Sequence, residues 1–485
     1  MLNSKMIFKI LGTLLFLEAA LVFVCLIMAF CYNENDKLAF LYTVIIALAV
    51  GGIFKFIGRG ANSRMTKRDG YLVVAVSWVL FTLLGMLPFI FSGYIPRVPD
   101  AFFEMMSAFT TTGATIVNTL DSFPHALLFW RSLAQWIGGL GIVFFTLVLL
   151  PSIGAGEMKL FAAESVGPKR NKLHPRVKTT AKWILGVYLF LTLACIISLY
   201  ICGMNWFDSV NHSFTTIATG GFSTHQNSIA FYNSPAIEYT ESIFMILGGT
   251  NFTLLYLFLW KRRLTAIWND AEFRCYITVL LGATGLIALS LIFHSGLHPE
   301  TAFRHSLFQV STLLTSTGLI STDYMQWMPS TWAILAVCML FGACAGSTSG
   351  GLKNVRVVMI VKMIRNEFQH ILHPNAVIPV RMNHEIITSA QERALIVFVS
   401  LYLFLTFVGS VILNYQGTPY MDAVSVCLSS IGNAGPGIGF MFGPTQSWSA
   451  LPDLSKWVCS FLMLAGRLEI FCILLPFMPH FWKEH

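Results

Sequence analysis

Four short stretches carry the residue types that hold a bare monovalent cation: Thr110-Thr111-Thr112-Gly113, Ala218-Thr219-Gly220-Gly221, Thr315-Ser316-Thr317-Gly318 and Gly432-Asn433-Ala434-Gly435. None offers a charged ligand. Small, mostly hydroxyl-bearing residues ending in a glycine free to take positive φ let backbone carbonyls turn to one side. A ring of such carbonyls replaces the water shell of a dehydrated ion. The residues that would supply the ring are Thr111, Thr112, Gly113, Thr219, Gly220, Gly221, Ser316, Thr317, Gly318, Asn433, Ala434 and Gly435. One glycine in a membrane helix is more often a packing contact than a ligand site, so the register carries the weight. With the four glycines superposed, Asp100, Asp208, His305 and Asp422 fall thirteen residues upstream. Ser107, Thr215, Thr312 and Ser429 fall six upstream, and Phe109, Ile217, Leu314 and Ile431 four upstream. A small-residue pair follows each glycine at a similar distance: Gly138-Gly139, Gly248-Gly249, Ala345-Gly346 and Ala465-Gly466. In the fourth stretch no hydroxyl directly precedes the glycine, which leaves its carbonyl ligands open.

The elements that must position these stretches follow from composition. Of 485 residues, 55% are hydrophobic and 11% charged, and mean hydropathy is +0.69. A soluble domain carries about 25% charged residues, so a soluble enzyme, a disordered chain, a coiled coil and a disulfide scaffold are excluded. About 20 apolar residues cross a bilayer core. Ten runs reach that length: 7 to 31, 38 to 57, 70 to 92, 126 to 151, 181 to 203, 238 to 260, 273 to 294, 331 to 364 (interrupted), 390 to 414 and 454 to 480. Between them lie four semi-apolar stretches too short to cross, near 100 to 115, 208 to 222, 302 to 320 and 421 to 437. These read as re-entrant.

Of the 31 Lys and Arg, 25 sit on loops of one side, which makes that side cytoplasmic with both termini inside. Topology thus accounts for the basic loops, and nucleic acid is not an expected partner. The re-entrant stretches then all start outside. Asp100, Asp208 and Asp422 are placed to cap short helices there. About ten residues reach about 15 Å, half of the core, and the chain must return through irregular backbone, which the membrane tolerates where it lines a cavity. The expected fold is an all-α polytopic membrane protein. Four pseudo-repeated helix, re-entrant loop and helix units (70–160, 161–265, 266–385, 386–485) surround one central pore, with two extra N-terminal transmembrane helices in 1–69.

Two features read as a gate. After apolar Trp332 to Phe341 comes Gly342-Ala343-Cys344-Ala345-Gly346-Ser347-Thr348-Ser349-Gly350-Gly351. The helix should break there, near the midplane, leaving residues 342–351 in the pathway; the competing reading is an ordinary turn before an interfacial helix. Arg467 lies ten residues after Trp457 in the last span, where a charge costs at least about 2.5–3.5 kcal/mol. It should face the bundle interior, repelling cations and bonding loop carbonyls, unless it pairs with a buried carboxylate. Glu469, two residues on, sits on the opposite helix face and is a poor partner.

Ten cysteines include no Cys-x-x-Cys pair, so neither a disulfide framework nor structural zinc is expected. His294 and His298 have no third ligand nearby. No phosphate-binding glycine loop and no hydrolase motif occurs, so the chain is not an enzyme. The rival to a pore is a proton- or sodium-coupled secondary cation symporter, with inverted repeats and midplane acids. Here the repeats are parallel, and the clear midplane charge is the basic Arg467.

From residue 70 onward the single-glycine stretches, the small pairs and the third-unit loop resemble the Trk/Ktr/HKT superfamily of potassium transporters, and the extra N-terminal pair resembles its bacterial TrkH (TrkG) type. The resemblance implies channel-like K⁺ and Rb⁺ uptake across the bacterial inner membrane, with K⁺ as cargo and no covalent or organic cofactor. Gly113 matters further, because plant relatives with serine there favour sodium. The resemblance also implies a homodimer and a cytoplasmic TrkA-type nucleotide-binding regulatory ring. That ring would dock on basic loops near 159–182 and 353–381, with membrane lipid around the rest.

Overall fold

The computed structural model describes residues 2–62, 65–153, 177–262, 264–375, 378–383 and 385–483. Two helices, Ser4–Cys31 and Lys37–Ile57, open the chain. They pack closely because glycines let the backbones meet: a Cβ on Gly12 would sit 2.7 Å from the Gly51 carbonyl oxygen, and one on Gly58 2.6 Å from the Lys9 nitrogen. Each of the four units then begins with a long helix: Lys67–Gly85 (running on through Leu87–Phe91), Val177–Ile201, Ala271–Ser295 and Ser389–Tyr415. Reciprocal capping boxes set two of the starts, Thr66 with Asp69 and Thr388 with Gln391.

A short re-entrant helix follows in each unit: Val98–Phe109, Trp206–Ile217, Pro299–Leu314 and Tyr420–Gly432. All four begin on one face, here called the mouth face. Both chain ends gather on the opposite face, where the Asn3 amide donates to Asp69 Oδ1 at 3.0 Å and Arg68 Nη1 to the Lys483 carbonyl at 2.7 Å.

Among the described residues six helices are long and apolar enough to cross a membrane. The remaining four of the ten expected spans, the second helices of the units, are interrupted. His125–Ile153 kinks at Gly141 (φ 41°, ψ −118°). Pro235–Gly248 and Phe252–Leu259 meet at 106°, and Asp453–Arg467 and Phe471–Phe477 at 117°. Pro329–Phe341 stops at Gly342, and the chain becomes helical again at Asn354–Leu372. An interruption was expected in the third unit alone. Small-residue pairs are the physical reason for the others, since they favour kinks and let the second helix abut the carbonyl end of a short helix. A Cβ on Gly138 would lie 1.9 Å from the Phe109 oxygen and one on Gly466 2.0 Å from the Ile431 oxygen.

The all-helical expectation has one small exception, a two-residue antiparallel pairing of Arg381–Met382 with Glu385–Ile386. The basic residues Lys159, Lys169, Arg170, Lys172 and Arg176, expected on a docking face, lie outside the described residues.

Candidate functional site

Each short helix ends the same way. The amide two residues before the unit glycine donates three residues back, Thr111 to Ala108, Thr219 to Thr216, Ser316 to Leu313 and Asn433 to Ser430, at 3.0–3.2 Å. The next amide donates five residues back, Thr112 to Ser107, Gly220 to Thr215, Thr317 to Thr312 and Ala434 to Ser429, at 2.7–2.9 Å. This is the Schellman arrangement, in which the backbone carbonyls of Ser107, Thr215, Thr312 and Ser429 close the turn; the bonds make no use of their hydroxyls. The left-handed position falls on Thr111, Thr219, Ser316 and Asn433 (φ 51–54°), at about 1–2 kcal/mol each for a side chain that is not glycine. Such strain concentrates at functional sites.

The glycines follow with φ of 85°, 75°, 87° and 93° at Gly113, Gly221, Gly318 and Gly435. Their surroundings close a ring. A Cβ on Gly113 would meet the Gly220 oxygen, one on Gly221 the Thr317 oxygen, one on Gly318 the Ala434 oxygen and one on Gly435 the Thr112 oxygen, at 1.9–2.6 Å. Every unit glycine therefore faces the carbonyl preceding the glycine of the next unit, and unit four returns to unit one. In the fourth stretch the Ala434 carbonyl occupies the position in this circuit that the Thr112, Gly220 and Thr317 carbonyls occupy in the others. Asn433 makes up for the missing hydroxyl by donating from Nδ2 to Thr112 Oγ1 at 3.0 Å and to the Met463 carbonyl at 2.9 Å. On the mouth side the four glycines floor a cavity walled by Thr115, Arg131, Ser223, His225 and Gln446.

The interrupted third unit lies on the other side of the ring. Gly350 N donates to Ser316 Oγ at 2.7 Å, and Ser349 Oγ lies 3.2 Å from the same hydroxyl. Thr348 Oγ1 donates to the Ile217 carbonyl at 2.9 Å and the Gly248 carbonyl at 3.2 Å. Gly350 has no room for a Cβ beside the Gly432 oxygen, and Gly346 (φ 78°) rests on the Asn251 side chain. Ser347 Oγ closes onto the Cys344 carbonyl at 2.6 Å. The two ends of the loop, Gly342 and Gly351 (φ 70° and 76°), bring their backbones together. Arg467 Nη1 donates to the Thr348 carbonyl at 2.7 Å and Nη2 to the Gly138 carbonyl at 2.6 Å.

Three expectations meet the geometry, and two of them change. Asp100, Asp208 and Asp422 do not cap their helices: each is the third helical residue, and the caps are Arg97, Asn205 and Pro419. Their carboxylates hold neighbouring segments instead. Asp100 accepts from Lys456 Nζ at 2.6 Å, Asp208 from Thr224, Tyr232 and Asn205 at 2.6–2.7 Å, and Asp422 from the Met441 and Phe442 amides at 2.9 Å. They still suit the positive end of the helix dipole. Second, Glu469, expected to be a poor partner for Arg467, keeps that reading and accepts instead from Arg356 and from Lys353 at 3.2 Å where the last span breaks. Third, Arg467 is not the sole charge-bearing type within the apolar helices. Glu18, midway along the first helix, is buried with neither carboxylate oxygen hydrogen-bonded, and buried Glu241 accepts from Thr216 Oγ1 at 2.6 Å.

Sequence reasoning also missed Gln135, whose Nε2 donates to the Gly220 carbonyl at 2.7 Å while its Oε1 accepts from the Phe222 amide at 3.1 Å. A polar residue inside an apolar run was the available signal. In the mouth loops His225 sits between Asp208 and Asp121, 3.0 Å from each, stacked on Phe231. Partial burial opposes its charge, but the bonds to Asp208 and Asp121 win and hold its pKa above the usual histidine value.

Four re-entrant helices around a ring of backbone carbonyls define a multi-pass membrane protein of the pore-forming kind. The comparisons narrow this. The TrkH family profile, described as cation transport protein, matches residues 36–484. Similar proteins include the Trk system potassium uptake protein TrkH of Salmonella typhimurium, 36% identical over the full length of both chains, and TrkG of Escherichia coli, 31% identical over 99% of each. The crystal structure of the potassium transporter TrkH from Vibrio parahaemolyticus superposes with a TM-score of 0.89 at 32% identity over 99% of each chain. The chain belongs to the TrkH family of cation transport proteins, a family of transporters and not of enzymes.

Proposed function

We propose that the chain takes up K⁺, and Rb⁺ in its place, by channel-like flow through the carbonyl ring. The observation that carries this reading is the closed circuit in which Gly113, Gly221, Gly318 and Gly435 each face a carbonyl of the next unit. Uncharged carbonyls at a glycine floor strip water from a monovalent cation without binding it too tightly to leave. The names of the relatives, potassium uptake proteins, point to the same cargo. In this reading the mouth face is outside, both termini are cytoplasmic, and the membrane is the bacterial inner membrane.

Residues 342–351 and Arg467 form the gate: the loop stands against the inner side of the ring, and the guanidinium pins it through Thr348 while adding positive charge to the path. A homodimer and a cytoplasmic TrkA-type nucleotide-binding ring acting on the loop complete the proposal, the latter supported by the basic residues of the loops on the termini face. The test is ⁸⁶Rb⁺ uptake into proteoliposomes holding the purified chain, competed by K⁺ and by Na⁺. Competition by K⁺ and little by Na⁺ is expected. Absence of flux even after shortening residues 342–351 refutes the pore.

Glu18 favours a second reading, coupling to protons, because a buried acid without a partner is where a proton would be held. It lies in the first helix, outside the four units. Uptake that follows an imposed pH gradient and loses that dependence in Glu18→Gln would select this reading.

A further inference from the structure

Nine residues before each ring glycine the short helices carry Glu104, His212, Gln309 and Val426. Three of these side chains reach the segment leaving the ring toward the mouth. Glu104 accepts from Thr115 Oγ1 and from the Ile116 amide, each at 2.9 Å. His212 Nδ1 donates to the Asp208 carbonyl at 3.0 Å, which leaves Nε2 to accept from Ser223 Oγ at 3.0 Å, and the Ser223 oxygen in turn accepts from the His225 amide at 3.0 Å. Gln309 Nε2 donates to the Thr322 carbonyl at 3.1 Å. All three are fully buried. In the fourth unit valine cannot take this part, and Ser425, one residue earlier, accepts from the Ile438 amide instead. Arg131 ties two of these segments together. Its Nε donates to Glu104 at 2.8 Å, its Nη2 to Thr115 Oγ1 at 3.2 Å and its Nη1 to the Ser223 carbonyl at 3.3 Å, with the guanidinium 4.0 Å from the centre of the Phe222 ring.

Resting on the carbonyl-ring reading, we propose that Glu104, His212 and Gln309 are positioning residues for ion selection. They brace the outward segments so that the ring keeps one diameter, with Arg131 locking unit one to unit two. None of them touches the ion. Irregular backbone has no ladder of its own to fix it, so its spacing depends on bonds of this kind. A carbonyl ring discriminates between ions through the number and placement of its oxygens, and loosening one strand lets the ring collapse onto a smaller ion.

The units themselves supply the test, because unit three does with glutamine what unit two does with histidine, and unit four lacks the contact. In full-length chain reconstituted in proteoliposomes, the ratio of K⁺ to Na⁺ competing with ⁸⁶Rb⁺ is measured for His212→Val, Gln309→Val and Ser223→Ala, with His212→Gln as the conservative replacement. Each of the first three is expected to raise Na⁺ competition by about fivefold, the equivalent of one neutral hydrogen bond. His212→Gln should restore most of the K⁺ preference. Adding Ser223→Ala to His212→Val should add less than either alone, because both remove the His212–Ser223 bond and the second change takes away only the acceptor of the His225 amide.

Ser223→Ala removes a single oxygen, so it keeps the proposal testable should the valine variants fail to insert. Wild-type ratios in Ser223→Ala, or in the valine variants with unchanged melting temperature, overturn the brace. Gly113→Ser in the same assay separates the two readings. If it relaxes selection while the brace variants do not, the brace alone falls; if it too leaves the ratio unchanged, the carbonyl ring falls with it.

Discussion

Gly113→Ser puts the ring under direct load. A Cβ at this position lies 2.1 Å from the Gly220 carbonyl oxygen, and ordinary contact begins at 3.4 Å. One of the two must therefore retreat by about 1.3 Å. Residue 113 cannot readily yield, since its φ of 85° already disfavours any side chain, adding about 1–2 kcal/mol. The Gly220 carbonyl is itself held by Gln135 and by the closing bond from its own amide to Thr215. The displacement is thus forced into the ring, with one of four oxygens pushed off its position. A loss of discrimination of about 1.4 kcal/mol, tenfold in relative Na⁺ competition, is expected. The assay is ⁸⁶Rb⁺ uptake competed by K⁺ and Na⁺, with Gly186→Ala as control because a Cβ there meets nothing within 4 Å. A Gly113→Ser protein that inserts, melts as the wild type and keeps the wild-type ratio would refute the carbonyl ring.

Three other outcomes follow from the same geometry. Arg467→Gln removes two charge-assisted bonds to the Thr348 and Gly138 carbonyls, and Rb⁺ flux through the purified chain should rise about tenfold, such a bond being worth about 1.5–3 kcal/mol; flux at or below wild type counts against a loop pinned shut. Glu469→Gln leaves Arg356 and Lys353 facing a neutral group in a buried setting, and thermal or denaturant melting in detergent should report a loss of about 3 kcal/mol, with an unchanged melt as the contrary result. His225 has a raised pKa, so the stabilisation from its bonds to Asp208 and Asp121 is fully present below the ordinary value of 6.5 and fades as pH rises through the raised one. Melting temperature should fall across that interval, and His225→Asn, with His212 and Asp208 intact beside it, should flatten the profile.

The repeat was legible because it is carried by residue types that the backbone itself demands. Glycine at positive φ is a local requirement met four times over, while small pairs against carbonyl ends (units one, two and four) and hydroxyl-bearing returns (units one to three) are met three times each, and each leaves a mark in one dimension. The aspartates were legible as positions and not as roles: a first-turn acid satisfies the dipole whether or not it caps, and what Asp208 holds (Thr224, Tyr232 and His225) depends on loops that return from far along the chain. Glu104, His212, Gln309 and Val426 stand in one register, yet they share no chemistry, so nothing marks them as a set until the segments they reach are in place. The interruptions in units two and four were hidden for a different reason. Apolar runs of adequate length read as straight spans, and only the Gly248-Gly249 and Ala465-Gly466 pairs hinted otherwise.

Those interruptions bear on why the proposed gate belongs to one unit of a fourfold ring. The second helix gives way near the ring in every unit, but in units two and four the break is a sharp bend of at most four residues, whereas the third opens into the loop from Gly342 to Lys353. The loop then draws on the other three. Thr348 bonds the unit-two carbonyls of Ile217 and Gly248, Gly350 presses on Gly432 of unit four, and Arg467 of unit four joins Thr348 to Gly138 of unit one. Its far end is tied through Lys353 and Arg356 to Glu469, in the same bend that presents Arg467. Moving the loop therefore means breaking its contacts to units two and four together, and freeing the arginine that reaches unit one, which favours two discrete positions over a graded one. A partner that pulled on Asn354–Leu372 from the face carrying the termini would act on Arg356 first and on Thr348 through it, reaching the ring without touching it.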